Sequence, residues 1–220
     1  DNAVATYEKL IGLGMKEPSI YTSLANIFLE QNQLEKADKI LQDGLNMFPG
    51  NLDMVISMAN FYIKSKQHQK ALQSLTMAKE KDPSNKSIAF AIGVTYDMLK
   101  NDTTLPATDR SKYFDSAVKS YEETISLDPQ YFDALFNLGA VFFNKGGDII
   151  NEANRLPLGD KKYDGMIADG NNMLNKALPY LEKAEQIKVG DRDTLISLKE
   201  IYTRLGQYEK LKEVNEKLGN

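Results

Sequence analysis

Residues that could carry out catalysis or bind a metal are sparse in this 220-residue sequence. It contains no cysteine, which excludes disulfides, thiolate metal sites and cysteine nucleophiles. The single histidine, His68, lies in "SKQHQK" with no second histidine or cysteine to pair with, and we interpret it as a solvated residue in a turn. The sequence therefore predicts no cofactor, no metal site and no enzyme activity.

Three short segments resemble binding or modification motifs only in part. "GGDIINE" lacks the Gly-Lys-Ser/Thr that ends a phosphate-binding loop. "DRDTLISLKE" begins like a calcium loop, but Leu195 stands where an oxygen ligand belongs. Two matches to the glycosylation sequon, starting at Asn85 and Asn101, matter only in a eukaryotic secretory pathway. None of them predicts a site by itself.

Charge and hydropathy exclude further classes of function. The net charge is −4 with both signs interleaved, so no basic face is available for nucleic acid. No apolar run approaches the roughly 18 residues of a transmembrane helix. The lack of cysteine slightly favours a periplasmic or other extracytoplasmic location, which the sequence otherwise leaves open. Because the chain starts at Asp1 and not at Met, we expect a processed or trimmed N-terminus.

A repeat with a period of about 34 residues organises the chain. Pro49 and Pro83, each after an apolar-periodic segment, lie one such period apart. Pro129 follows Pro83 after one period and a short insertion, and Val189 stands in a similar context after one further period and a longer insertion. This spacing indicates one repeated supersecondary unit with two insertions.

Small and aromatic residues keep the same register. Alanines lie at one fixed distance before each of these positions: Ala37, Ala71, Ala117 and Ala177. A second series of small residues comes earlier in each unit: Ala25, Ala59, Gly93 and Gly139. An aromatic stands three residues after each member of that series, and Tyr202 holds the place in the last unit: Phe28, Tyr62, Tyr96, Phe142 and Tyr202.

These residues resemble the tetratricopeptide repeat family, whose unit is a helix–turn–helix of about 34 residues. The resemblance implies an all-α fold, a right-handed superhelical solenoid of antiparallel helix pairs with about eleven helices and no strands. Gly139 and its counterparts would lie where the first helix of a pair presses closest to the second. Leu24, Met58, Ile92, Leu138 and Leu198 would fill that seam.

We expect a single solenoid domain over residues 1–220. A half repeat (1–17) would precede repeats at 18–51, 52–85, 86–131, 132–191 and 192–220, with first helices beginning near Pro18, Leu52, Lys86, Phe132 and Arg192. The final helix, "YEKLKEVNEKL", has one apolar and one charged face, as a terminal cap needs. The array is therefore expected to end at the C-terminus and to be cut at the N-terminus.

Two insertions interrupt the repeat, near 101–112 and 146–172. In the first, Thr108 or Asp109 is expected to cap an early start of the next helix. In the second, "DIINEANRL" would extend the preceding helix, "PLGD" would turn, and a long helix kinked or broken at Pro179 would return. We interpret residues 146–172 as an antiparallel helical finger, either a docking or dimerisation element or a tolerated surface elaboration.

The resemblance also implies a binding face. Members of the family present the exposed faces of their first helices along a concave groove that holds a peptide or partner helix. The candidate residues on these faces are Asn26, Ile56, Asn60, Phe90, Val94, Phe136, Asn137 and Phe143. The apolar members would bury ligand side chains, and the asparagines would bond to its backbone.

The carboxylate clamp of co-chaperone members is disfavoured. Asn26 and Asn60 match an asparagine place of that clamp, but its basic places hold Thr22, Ser87 and Ala91. The leading hypothesis is a non-enzymatic scaffold that binds a protein or peptide in the groove. Two alternatives stay open: glycan or small-ligand binding by an envelope protein, and a purely structural segment of a longer array. Partner identity and oligomeric state are not predicted.

Overall fold

The computed structural model describes residues 2–48 and 51–219, which form eleven α-helices and no strand. The helices are α1 Asn2–Gly12, α2 Pro18–Glu30, α3 Leu34–Met47, α4 Leu52–Lys64, α5 His68–Lys81, α6 Lys86–Asn101, α7 Ala107–Leu127, α8 Phe132–Ala153, α9 Tyr163–Ile187, α10 Arg192–Arg204 and α11 Tyr208–Leu218. The prediction of an all-α fold with eleven helices is confirmed. No helix in the described ranges is both long and apolar enough to cross a bilayer.

The chain divides into two compact units, Asp1–Tyr113 and Phe114–Asn220. In the first unit α2 packs on α3 and α4 on α5, and in the second α8 packs on α9 and α10 on α11. Helix α7 begins in the first unit and continues into the second. The repeat boundaries and the single domain over 1–220 stay predictions.

Side chains and prolines at the helix starts explain where four of the five first helices begin, namely α2, α4, α6 and α10. The side chain of Asn51 accepts a hydrogen bond from the Met54 amide, and that of Asn85 accepts from Ser87 and Ile88. Asp191 caps α10 in the same way, while α2 begins with Pro18, whose missing N–H costs nothing in a first turn. Local chemistry therefore determines these starts.

Turns with proline or glycine follow the second helices. Pro83 comes two residues after the end of α5, and Pro129 two residues after the end of α7. Val189 lies beyond the end of α9, next to Gly190 with its left-handed φ of 81°. Pro49 lies outside the described residues.

The predicted seam is buried in both units. Among the residues expected to fill it, Leu24 and Leu138 are 0% exposed. The small residues beside them are buried as well: Ala25, Ala59, Gly93 and Gly139 on the first helices, and Ala37, Ala71, Ala117 and Ala177 on the second. The last repeat has no small residue at the corresponding place on its first helix, where Lys199 is half-buried.

Gly139 illustrates the packing constraint. A Cβ added to it would lie 2.5 Å from Cγ of Leu181 on α9. The glycine costs about 1 kcal/mol of helix propensity relative to alanine, and the close approach of α8 to α9 offsets this cost. The prediction that the first and second helices press together at this glycine is confirmed.

The first insertion forms a short turn between α6 and α7. Asp102 accepts hydrogen bonds from the amide and hydroxyl of Thr104, and these bonds lower the pKa of its carboxyl group. Helix α7 begins at Ala107, directly after Pro106. The prediction that Thr108 or Asp109 caps this helix is wrong, because both residues already lie inside the first helical turn.

The second insertion is a helical finger. Helix α8 continues through Gly146 and Gly147 to Ala153, and α9 returns from Tyr163. A Cβ on Gly146 would lie 2.8 Å from the carbonyl oxygen of Gly170, so the two helices cross here in backbone contact. Helix α9 continues through Pro179 without interruption, so the alternative of a helix broken at this proline is wrong.

The chain ends of the described region pack by one face each. In α1 the residues Val4, Tyr7, Leu10 and Ile11 contact the core of the first unit and are half-buried. In α11 Val214 is buried, while charged residues face solvent. Lys210 and Lys217 of α11 bond to Glu182 and Glu185 of α9, at 2.6 and 2.8 Å.

The paired glycines of α8 give a stability test. We expect Gly146→Ala to lower the free energy of unfolding by about 1–3 kcal/mol, because the new methyl group meets a backbone oxygen that cannot rotate away. Gly147→Ala is the matched control, since no atom lies within 4 Å of its added Cβ. The control should raise stability by up to about 1 kcal/mol. Urea unfolding followed by circular dichroism measures both, and equal effects would contradict the packing described here.

Candidate functional site

The candidate residues of the first unit lie on the exposed faces of α2, α4 and α6. Asn26 and Asn60 are exposed, and Ile56, Phe90 and Val94 are half-buried. We call these five residues the N-terminal face. Each helix buries its seam on the opposite side, so this face is what remains for a partner.

The two asparagines of the N-terminal face occupy the same register, one repeat apart, on helices that contact each other. Neither side chain forms a hydrogen bond within the described part of the chain. An asparagine amide offers two donors and one acceptor oxygen, which matches the alternating N–H and C=O groups of an extended peptide. The arrangement can therefore hold a peptide backbone.

Ile56 and Phe90 add apolar surface at one shared register of α4 and α6. Ile56 lies three residues before the buried Ala59, and Phe90 lies three before Gly93. Burial of a half-exposed aliphatic or aromatic side chain against a ligand contributes on the order of 1 kcal/mol. The N-terminal face thus combines polar and apolar contacts.

The remaining candidates lie in the second unit, on α8. Phe136, Asn137 and Phe143 are half-buried, and neighbouring α10 presents Ile196, which is 49% exposed. Two exposed carboxylates, Asp133 and Asp193, lie in the first turns of α8 and α10. We call these six residues the C-terminal face: Asp133, Phe136, Asn137, Phe143, Asp193 and Ile196.

Phe136 is held in place by its own helix. Its ring stacks on that of Phe132, with centroids 6.1 Å apart and planes inclined by 11°. The ammonium of Lys188 lies 4.8 Å from the centroid of the Phe132 ring, a cation–π contact. One face of the Phe132–Phe136 pair is thus supported by the chain itself.

Lys188 also forms an ion pair with Asp191, with 2.6 Å between Nζ and Oδ2. This hydrogen bond raises the pKa of the Lys188 ammonium and lowers that of the Asp191 carboxyl. The second oxygen of Asp191 accepts from the amide and hydroxyl of Thr194, which caps α10. Asp191 therefore connects the start of α10 to the edge of the C-terminal face.

Sequence reasoning missed a repeated cation–π contact. A lysine lies over the aromatic of the repeat register in four of the five hairpins: Lys36 over Phe28, Lys70 over Tyr62, Lys176 over Phe142 and Lys210 over Tyr202, with 5.3 to 6.0 Å from Nζ to the ring centroid. Its signal is a lysine directly before the small residue of three second helices, at Ala37, Ala71 and Ala177, and before Leu211 in the last repeat. These rings are covered on the side that a ligand would need for stacking.

Buried tyrosine hydroxyls bond to acids on neighbouring second helices. The Tyr202 hydroxyl donates to Glu182 at 2.8 Å, and that of Tyr62 lies 3.4 Å from Asp38. Burial, together with the nearby carboxylate, raises the pKa of both hydroxyl groups. Both bonds connect one hairpin to the next within its unit.

The interpretation of His68 as a solvated turn residue is wrong. His68 is the first residue of α5 and is half-buried, and its Nδ1 is enclosed without a hydrogen-bond partner in the described structure. Within the described ranges, no group of three or more histidine, aspartate or glutamate side chains is placed to hold a metal ion.

Two open cavities had no signal in the sequence, since their walls come from separate helices. One of about 420 Å³ lies in the first unit and is lined by Leu45, Leu52, Val55, Ser74, Met77, Ala78, Lys81 and Asp82. The other, about 690 Å³, lies in the second unit and is lined by Phe114, Asp115, Val118, Lys119, Glu122, Phe142, Lys176, Pro179 and Tyr180. Neither includes a residue of the N-terminal or C-terminal face.

Helix hairpins closed at small residues define the class of this protein as a helical repeat protein. The comparisons with known families make the class specific. A TPR repeat model matches residues 112–146, and a tetratricopeptide repeat model matches residues 29–91. Both matches identify tetratricopeptide repeats in the chain, an all-α fold typical of non-enzymatic protein-interaction scaffolds.

Individual relatives are distant. The interferon-induced protein with tetratricopeptide repeats 2 of Cricetulus griseus is 32% identical over 95 residues, which are 43% of this chain and 20% of that protein. The chain thus spans about a fifth of the length of this relative. The crystal structure of MamA matches 91% of this chain and 88% of its own, with a TM-score of 0.61 at 16% identity. That of YrrB, described as a TPR protein with an unusual peptide-binding site, matches 96% and 89%, with a TM-score of 0.57 at 16% identity.

The Asp191 cap gives a pH-dependent prediction. Because the folded-state pKa of Asp191 is lowered, its contribution to stability is present above the unfolded-state pKa of about 3.9 and is lost as the pH falls through the folded value. Asp191→Asn keeps a good N-cap but loses the charge. We expect its free energy of unfolding to be about 0.5 kcal/mol below that of the wild type at pH 7, and this difference to vanish near pH 2.

Asp191→Ala removes the cap as well and should cost about 1 kcal/mol throughout. Urea unfolding of the three proteins at pH 2 to 7 measures both differences. A constant difference between wild type and Asp191→Asn over this range would contradict the ion pair with Lys188.

Proposed function

We propose that this protein is a non-enzymatic scaffold whose first-helix faces bind an extended segment of a partner protein. The observation that supports this most is the division of each first helix into a buried seam and an accessible face of mixed chemistry. All eight candidate residues lie on the accessible side, and none of them belongs to the core. The side chains of Asn26, Asn60 and Asn137 form no hydrogen bond in the described ranges, and half-buried apolar side chains lie on the same faces.

The chemistry of these faces suits an extended peptide. Its backbone would bond to the amides of Asn26 and Asn60 on the N-terminal face and of Asn137 on the C-terminal face. Its apolar side chains would contact Ile56 and Phe90, or Phe136 and Phe143, and lose water there. Peptide binding by YrrB, whose fold is similar, is compatible with this use of the fold but concerns a different chain.

Glycan binding has less support. Sugars stack on exposed aromatic faces, but four of the five aromatics of the repeat are buried under lysines, and Tyr96 is half-buried and stacked on Tyr113. Phe136 is half-buried and stacked on Phe132. The faces therefore favour a peptide over a saccharide.

The finger offers a second candidate surface. Its turn is ordered by hydrogen bonds from the Asp160 amide to the Pro157 carbonyl and from the Lys162 amide to the Asp160 carboxylate. Leu158 at the tip is fully exposed. An ordered turn that presents a leucine to solvent is suited to a contact with a partner. The same experiment therefore tests a variant of the finger beside the variants of the two faces.

The test compares proteins retained from a lysate of the source organism by immobilised wild type and by variants. Asn60→Arg places a larger, positively charged side chain on the N-terminal face. Phe136→Glu replaces an apolar ring of the C-terminal face by a negatively charged side chain. We expect each to reduce a specific partner by roughly tenfold or more if that face carries a binding hot spot. Circular dichroism must first show that each variant is folded.

Two further variants make the same changes elsewhere, the first as a control and the second as the test of the finger. Gln73→Arg on α5 adds an arginine at an exposed position outside the faces, and Leu158→Glu adds a glutamate at the tip of the finger. Retention of the partner by both face variants, together with its loss in Leu158→Glu, would move the binding site to the finger. Equal retention by all variants would contradict every site proposed here.

A further inference from the structure

The C-terminal face carries an apolar pair at one register. Phe136 on α8 and Ile196 on α10 occupy equivalent places in consecutive repeats, separated in the chain by one period and the longer insertion. The two helices contact each other, and both belong to the second unit. Ile196 is 49% exposed and Phe136 is half-buried, so the pair presents apolar surface that the fold leaves uncovered.

A pair of carboxylates borders this apolar pair. Asp133 and Asp193 come three residues before Phe136 and Ile196, and residues three apart on a helix lie on the same face. Both are exposed, and neither carboxylate forms an ion pair or hydrogen bond within the described ranges.

The neighbouring cation does not neutralise this edge. Lys188 lies near Asp133 and Asp193, but its ammonium bonds to Asp191 and rests over the Phe132 ring. The Lys188 ammonium is therefore already paired with Asp191. A positive side chain of a ligand would find two acceptors beside an apolar surface.

We propose that the C-terminal face binds a segment of a partner protein in which a lysine or arginine stands two residues from an apolar side chain. In an extended chain, residues i and i+2 point to the same side, roughly 7 Å apart. One helical turn, about 5.4 Å, separates the carboxylates from the apolar pair. The apolar side chain contacts Phe136 and Ile196, and the basic one reaches Asp133 and Asp193. This proposal rests on the proposed function and adds the chemistry of the bound segment.

The test uses fluorescein-labelled peptides and the full chain. The probe is Gly-Ser-Leu-Ser-Lys-Ser-Leu-Ser-Lys-Ser-Gly, which places leucine and lysine on one side. Two matched peptides replace both lysines by glutamate or both leucines by serine. Fluorescence anisotropy at low salt should show the leucine–lysine peptide binding at least tenfold more tightly than either matched peptide.

Protein variants identify the surface. Asp133→Asn combined with Asp193→Asn should weaken binding of the leucine–lysine peptide about fivefold, as expected for the loss of two solvent-exposed ion pairs. Ile196→Ser should weaken it by a similar factor. Asp148→Asn combined with Asp169→Asn removes the same charge from exposed positions on the finger and should leave binding unchanged.

The outcomes separate this inference from the proposed function. If the leucine–glutamate peptide binds as tightly as the leucine–lysine peptide and Ile196→Ser weakens both, the face binds segments but the charge preference is wrong. Equal effects of the two aspartate double variants would overturn the inference as well, because only net charge would then matter. Absence of binding of the leucine–lysine peptide at millimolar protein would also overturn it, while the proposed function would still be tested by its own experiment.

Discussion

The close approach of the two helices in each hairpin is the constraint on which the rest of this structure depends. Alanine or glycine on the first helix, at Ala25, Ala59, Gly93 and Gly139, allows that approach, and Gly139 has no room even for a Cβ beside Leu181. Once one side of each first helix is committed to this seam, the opposite side is the surface left for a partner. Binding surface and core are thus two consequences of one packing contact.

The finger extends the same principle beyond the repeat. Gly146 and Gly170 let α8 and α9 touch through their backbones, where side chains would otherwise separate them. A hairpin of this length needs its own core, and Ile150, Ala153 and Leu174 supply it. The insertion is therefore built into the hairpin as continuous helix and ends in an ordered turn that carries the exposed Leu158.

The aromatic residues that stand three residues after the small residues of the first helices stabilise the hairpins and are poorly accessible to a ligand. Phe28, Tyr62, Phe142 and Tyr202 each bury most of the ring and place the remaining face under a lysine. On the proposed function, a partner would make its apolar contacts at another register, where Ile56, Phe90, Phe136 and Ile196 lie. On that proposal, one register serves stability and the other serves recognition.

By itself the sequence determined the starts of the five first helices, the seam and the number of helices, because caps, prolines and small residues act locally or at a fixed repeat spacing. It also placed all eight candidate residues on accessible helix faces. Tertiary structure decided which groups meet across helices: the enclosure of Nδ1 of His68, the lysines over the aromatic rings, and the Lys188 ammonium over the Phe132 ring. The start of α7 at Ala107 was missed because the turn after Asp102, and not a capping side chain, positions it. The contacts across helices depend on how separate helices pack. The spacing of residues along the chain does not specify the distances between atoms of different helices.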